Sequence, residues 1–510
     1  MSSRIVDAAD AMVSGSSDLV VLDGVGFGVA DVVRLADGDA RPVPGTDAMK
    51  RATESWDAAR QIAATGRVYG RSTGVGANRN EDVPTEAAAE HGLRLLRSHA
   101  GAIGDELPAR EVRAMLAVRA NQLLAGGAGL RPTVVTALCE ALESGVHPVV
   151  NEFGSVGTGD IAALAQVGLA LVGERPWRGA ENGLSGAPEP QPLDNNDALA
   201  LISSNALTLG QSALALHELR GLIGATQVVG ALSLLAVDGS HEPFAAPVHA
   251  ARPHRGSTEV ARRMRELIGA ADRPTPPLGR IQDPYGFRCL PQIHGPAHDA
   301  ADALEDVLAI EINAAAENPF ISAEDMTAYH HGGFYQAQLV LALDHFRLAL
   351  TQVARLSTSR LSSLNEPAFT RLKPFLADNE PASSGVMILE YAAAAALGDL
   401  RAFSAPASLG HAVLSRGVEE QASFASLAAR QTLRACRAYR LVVGCELVAA
   451  VRALRQRDLR PDPELPVGRA LELAEAVLDE DPADRPLTDD VSAAAGLLDR
   501  FTEIWRGSTS

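Results

Sequence analysis

The stretch "DALALISSNALTLGQSALALHELRGLIGATQVVGALSLLAVD", Asp197 to Asp238, decides the fold class. It is almost free of helix breakers and apolar on more than one face, which is the pattern of long helices buried on several sides. The same texture returns downstream in "HDAADALEDVLAIEINAAAE" (298–317), "QAQLVLALDHFRLALTQVARLSTSRLSSL" (336–364), "GVMILEYAAAAALGDLRAFS" (385–404) and "EEQASFASLAARQTLRACRAYRLVVGCELVAAVRALR" (419–455). Aromatic residues are only 4% of the chain while Ala and Leu abound, which favours helix over sheet.

Upstream the texture is mixed. Leu19–Leu22 alternates like a small strand, and "GVGFGVADVVRLADG" (24–38) reads as the start of a helix. "EAAAEHGLRLLRSHAGAIG" (86–104) predicts a helix ending at Gly101 or Gly104, and "AREVRAMLAVRANQLLAGGAG" (109–129) one stopped by paired glycines. "RPTVVTALCEALESGVHPVV" (131–150) is a third, and residues 161–172 a fourth, with Thr158 and Asp160 as good N-cap types before it. Residues 173–196 read as a Pro/Gly-rich connector. At 510 residues the chain exceeds one compact core. The expected architecture is mostly α: an N-terminal mixed region (1–195), a central bundle of long helices (196–460) and a C-terminal helical tail (461–510).

The net charge of −18 opposes binding to nucleic acid and to anionic membranes. Cys139, Cys289, Cys436 and Cys445 show no metal-type or disulfide-type spacing, so no metal is expected. The first residues do not read as a signal segment, and no charge-free apolar run of membrane length stands out. The cytoplasm is the expected address.

Five polar loops separate the helices: "VYGRSTGVG" (68–76), "LLRSHAG" (95–101), "GSVGTGD" (154–160), "QDPYGFRCLPQIHG" (282–295) and "EINAAAENPF" (311–320). Tyr69 stands among Gly70, Gly74 and Gly76, where a substrate can approach closely, and a phenol there is a base if its pKa is lowered. Arg288 offers a planar fork suited to a carboxylate, three residues after Tyr285.

In this order the five loops resemble the histidine and aromatic amino-acid ammonia-lyase family, over most of the chain. The resemblance implies a fumarase/aspartase-like helical fold and a homotetramer whose sites are shared between subunits. It also implies a carbon–nitrogen lyase that releases ammonia from a small amino acid, leaving an α,β-unsaturated acid. Tyr69 matches the family's catalytic tyrosine, Tyr285 a tyrosine beside the prosthetic ring, and Arg288 the arginine on the substrate carboxylate. Ser98-His99 matches the pair found in histidine enzymes, and Glu419 keeps the carboxylate of a late acidic motif in which Gln421 departs. Both favour a histidine-like or modified aromatic substrate. Phe334 matches the aromatic of the family's Gly-Asn-Phe-His-Gly loop, here with Gly333, Tyr335 and Gln336. The family's asparagine falls on Ser203, with Asn205 two residues on, and Glu317 stands where the family has aspartate.

The family builds an electrophile, a methylidene-imidazolone, from Ala-Ser-Gly within Gly-Ser-Val-Gly-Ala-Ser-Gly-Asp. Here Gly154–Asp160 is one residue shorter and that serine is missing. Three readings stay open. Gly157-Thr158-Gly159 cyclises with Thr158 as the dehydrated residue; or the loop stays uncyclised and Thr158 is a polar contact; or catalysis is lost and the chain is a binding or assembly protein. The shortened backbone favours the uncyclised loop, and so a lyase or aminomutase working through acid/base residues with no diffusible cofactor. Retention of Tyr69, Tyr285 and Arg288 favours an enzyme.

Overall fold

The structure is a computed structural model that describes residues 18–179, 186–275 and 279–507. Most of the segment read as lacking a signal sequence lies outside the described residues, as do parts of the 173–196 connector and of the loop before Tyr285. The chain divides into two compact units: Met1–Leu214 with Glu305–Leu341 and Ala407–Arg430, and Ala215–Leu304 with Ala342–Pro406 and Gln431–Ser510. Three segments that chain order places in the central bundle, residues 196–214, 305–341 and 407–430, thus cluster with the N-terminal region.

The first unit carries every strand among the described residues, in four two-stranded ladders. Leu19–Leu22 pairs in parallel with Arg41–Pro44, and helix Val29–Asp37 makes the crossover. That helix packs against Ala109–Leu124, which is buried continuously from Val112 to Leu124. Its Arg119 is 1% exposed, donates from Nε to Leu201 O at 3.0 Å and pairs with Glu317 at 2.7 Å. A buried charge is tolerable only when paired in this way. Helix Ala88–His99 stops before Gly101 because Ala100 leaves helical space at φ −74°, ψ 37°.

The breaker-free stretch that set the fold class does not form one helix. It is Ala198–Ile202, then an interruption at Ser203–Asn205, then the 31-residue helix Ala206–Ala236. The interruption is explained by competing hydrogen bonds: Asp160 N donates to Ser204 O at 2.7 Å, and Asn318 N to Ser203 Oγ at 3.0 Å. By length and composition Asn195–Ala236 could cross a membrane, but 89% of its most apolar window is buried.

The regular elements of the second unit are all helices among the described residues, with Arg255–Ile268, Ile388–Phe403, Pro466–Val477 and Thr488–Arg506 wholly within it. Within it the Glu446 carboxylate is fully buried. It accepts from Arg360 Nε (2.6 Å) and Nη2 (2.8 Å), Ser233 Oγ (2.7 Å) and Ser357 Oγ (2.6 Å), all four residues being buried. All four cysteines are buried, and none is in a disulfide.

Candidate active site

The 154–160 loop hangs between two fixed ends. Strand Asn151–Phe153, paired antiparallel with Ile103–Glu106, sets its start, and helix Ile161–Leu171 sets its end. Asp160 occupies the N-cap position, but its side chain does not cap. Its carboxylate instead accepts from Thr208 N (2.8 Å) and Oγ1 (2.9 Å), which corrects the capping expectation. Burial pushes the Asp160 carboxyl above its usual range.

The backbone reverses through Gly157 (φ +87°) and Gly159 (φ +104°), conformations that disfavour any side chain. Ser155 ties the turn internally: its Oγ donates to Gly159 O at 3.0 Å and accepts from Gly157 N at 3.2 Å. Residues 423–426 then claim three consecutive carbonyls. Ser426 Oγ donates to Ser155 O (2.8 Å), Phe424 N to Val156 O (2.8 Å) and Ser423 Oγ to Gly157 O (2.9 Å). Sequence reasoning missed these partners, since Ser423 lies 266 positions from Gly157 and no local pattern marks it.

The turn presents Thr158, whose Oγ1 donates to Glu419 Oε2 at 3.2 Å. Glu419 is held by its own backbone, which pairs with Leu414 across a turn at Ser415–Gly417. Ser415 Oγ accepts from Ala77 N at 3.1 Å, and Tyr69 OH accepts from Gly76 N at 2.8 Å. Three sequence-distant loops, 69–77, 154–160 and 414–426, therefore meet in the first unit. Burial raises the Tyr69 phenol above its ordinary value, and the Glu419 charge raises it further against the lowering by the Gly76 N–H. The lowered pKa that a resting base would want is not found.

A fourth loop joins them. The Tyr69 and His330 rings meet edge to face at 6.3 Å. Gly333 N donates to His331 Nδ1 (2.9 Å), so His331 Nε2 carries the proton it gives to Glu317 O (2.7 Å). Asn205 Nδ2 donates to Phe334 O at 2.8 Å, while its Oδ1 is buried without a partner. Asn205 and Phe334 thus come together, and Ser203 serves Asn318 instead.

Ser98 and His99 end the helix that leads into strand Ile103–Glu106. His99 Nδ1 lies 2.9 Å from Leu95 O and 3.0 Å from Ser98 Oγ. Among the described residues, no hydrogen bond joins either to the 154–160 loop. Tyr285 and Arg288 belong to the second unit. Tyr285 is 68% exposed with the Arg288 guanidinium 5.0 Å from its ring centroid. Arg288 Nε is spent on Asp283 O (2.9 Å), and neither terminal nitrogen has a hydrogen-bond partner among the described residues.

These residues do not fit the standard prosthetic group. A Cβ added to Gly157 would lie 2.1 Å from Ser423 Oγ, 2.8 Å from Phe424 N and 3.0 Å from Ala425 N. There is no room for the tripeptide's alanine, and the serine that must dehydrate is absent. Among the described residues no cluster of His, Cys, Asp or Glu could hold a metal ion.

This fold and this convergence of loops define an amino-acid lyase: residues 27–478 match the aromatic amino acid lyase family, and the chain belongs to it, a family of carbon–nitrogen lyases. It is similar to histidine ammonia-lyase of Geobacillus kaustophilus (strain HTA426), with 35% identity over 451 residues, 86% of this chain and 89% of that one. Among solved structures it is similar to tyrosine aminomutase from Streptomyces globisporus (TM-score 0.88, 27% identity, 96% of this chain and 98% of that one). It is also similar to ergothionase, an ergothioneine-degrading enzyme from Treponema denticola (TM-score 0.87, 26% identity, 96% and 99%).

Proposed function

We propose that the chain eliminates an amine from a histidine-like or modified aromatic amino acid, giving an α,β-unsaturated acid without the standard methylidene-imidazolone. The observation that carries this is the Thr158–Glu419 hydrogen bond on a loop that lacks the dehydrating serine, with the Glu419 charge acting on the buried Tyr69 phenol. Tyr69 takes the β-hydrogen as a proton, the C–H pair becomes the C=C bond, and the C–N pair leaves on nitrogen. Arg288 holds the carboxylate through its two free nitrogens. Glu419 and His99 contact the side chain. The enzyme works as a homotetramer with sites completed across subunits, and four cysteines outside any disulfide suit a reducing cytoplasm.

A second reading of the substrate is favoured by the missing serine. A base facing an α-ammonium takes its N–H proton long before a β C–H. A quaternary nitrogen has no proton to lose and no lone pair for an electrophile to capture, so such a substrate leaves as a tertiary amine with no covalent capture. Ergothioneine, the compound named for the Treponema denticola enzyme, is a trimethylammonium derivative of this kind.

The test is wild-type turnover of L-histidine, its N-trimethyl derivative, L-phenylalanine and L-tyrosine, read by ultraviolet absorbance of the unsaturated acid and by amine release. No turnover of any of them rejects the lyase reading. Turnover of free amino acids alone rejects only the quaternary one.

A further inference from the structure

We infer that Thr158 is a positioning residue for Glu419, presented by a turn that the 423–426 segment locks open. The inference rests on the reading of the 69, 158 and 419 cluster as the substrate site, and adds how that site holds its shape without a covalent ring.

The lock has three parts. The carbonyls of Ser155, Val156 and Gly157 each accept from a different donor of residues 423–426, at 2.8, 2.8 and 2.9 Å. Two of those donors are the hydroxyls of Ser423 and Ser426, both buried. Ser155 spans the turn from inside, binding Gly157 N and Gly159 O with one hydroxyl. Beyond the turn, Asp160 is fixed by its backbone to Ser204 O (2.7 Å) and by its carboxylate to Thr208. Every residue of 155–160 except Thr158 is thus tied down or lacks a side chain, and Thr158 alone points a functional group at another loop.

That group meets Glu419, whose backbone is bridged to Leu414, while the neighbouring Ser415 Oγ accepts from Ala77 N. A carboxylate on a short, half-buried turn can take more than one rotamer. A donor at 3.2 Å on a rigid neighbour selects one of them. The threonine keeps the hydroxyl of the lost serine but spends it on orientation. Its β-methyl also restricts χ1, so the hydroxyl is pre-aimed.

The experiment compares T158V, which keeps the shape and loses the donor, with T158S, which keeps the donor. On whichever substrate the wild type turns over, T158V should lose about 100-fold in kcat. KM should stay nearly unchanged, and T158S should recover kcat. Equal losses in both variants, or a loss confined to KM, overturn the proposal. Intact mass is read in parallel: wild type and T158S should both show the full sequence mass, and a deficit of two waters in either overturns the open turn. If no substrate in the panel reacts, the functional reading fails by itself. A crystal structure of T158V then still decides the positioning claim, with Glu419 swung from its wild-type rotamer supporting it and an unmoved Glu419 refuting it.

Discussion

Gly157→Ala is the sharpest probe of the loop, because the family resemblance puts alanine near this place and the structure leaves no room for it. The magnitude has two sources. At φ +87° a side chain in the left-handed region costs about 1–2 kcal/mol. The new methyl would sit 2.1 Å from Ser423 Oγ and 2.8 Å from Phe424 N. The first is a side-chain atom that can swing away, at the loss of its hydrogen bond to Gly157 O, about 1 kcal/mol. The second is backbone that must itself shift, an overpacking cost of about 1–3 kcal/mol. Together G157A should destabilise by about 3–6 kcal/mol, read as a fall in urea midpoint at unchanged slope. Ser423→Gly removes the nearest obstruction but not the backbone nitrogen, so S423G should recover only part of the loss when combined with G157A. A G157A protein within about 0.5 kcal/mol of wild type refutes the loop geometry, since surface changes are that small. Strict additivity with S423G refutes the stated cause.

Other outcomes follow from the same contacts. Tyr69→Phe should lower kcat by about 10²–10⁴-fold, the usual worth of a positioned base, and unchanged turnover removes Tyr69 from the mechanism. Because burial, and to a lesser degree the Glu419 charge, raise the Tyr69 phenol above its ordinary value, kcat/KM should still be climbing at alkaline pH. The phenolate is what reacts and is populated only as pH rises through the raised value, so Glu419→Gln should move that limb to lower pH. A limb that moves upward rejects the assignment. Arg288→Lys keeps the charge but loses the fork, and should raise KM about 10-fold or more with kcat less affected. Arg360→Met strands the buried Glu446 carboxylate and should cost about 3–5 kcal/mol in urea unfolding, with no change in the folded enzyme's KM.

The helical architecture was legible because long breaker-free apolar stretches have few alternatives. Val29–Asp37, Ala109–Leu124 and Thr133–Ser144 form where caps and periodicity place them. The failures share one cause. Nothing local marks the break at residues 203–205, and what holds it open comes from Asp160 and Asn318, far away in sequence. Asp160 reads as a cap, yet its carboxylate answers to Thr208. The Tyr69 loop is legible from its glycines, but the rise of the phenol depends on burial and on Glu419, neither visible within residues 68–76. Local pattern therefore finds the candidate side chains, while the bonds that decide their protonation and aim are all long-range. The loop around Thr158 depends most on such bonds: every carbonyl from 155 to 157 is satisfied by residues more than 260 positions on. A change in 423–426 should therefore disturb Thr158 as strongly as a change in the loop itself, although nothing in the sequence of either segment announces the other.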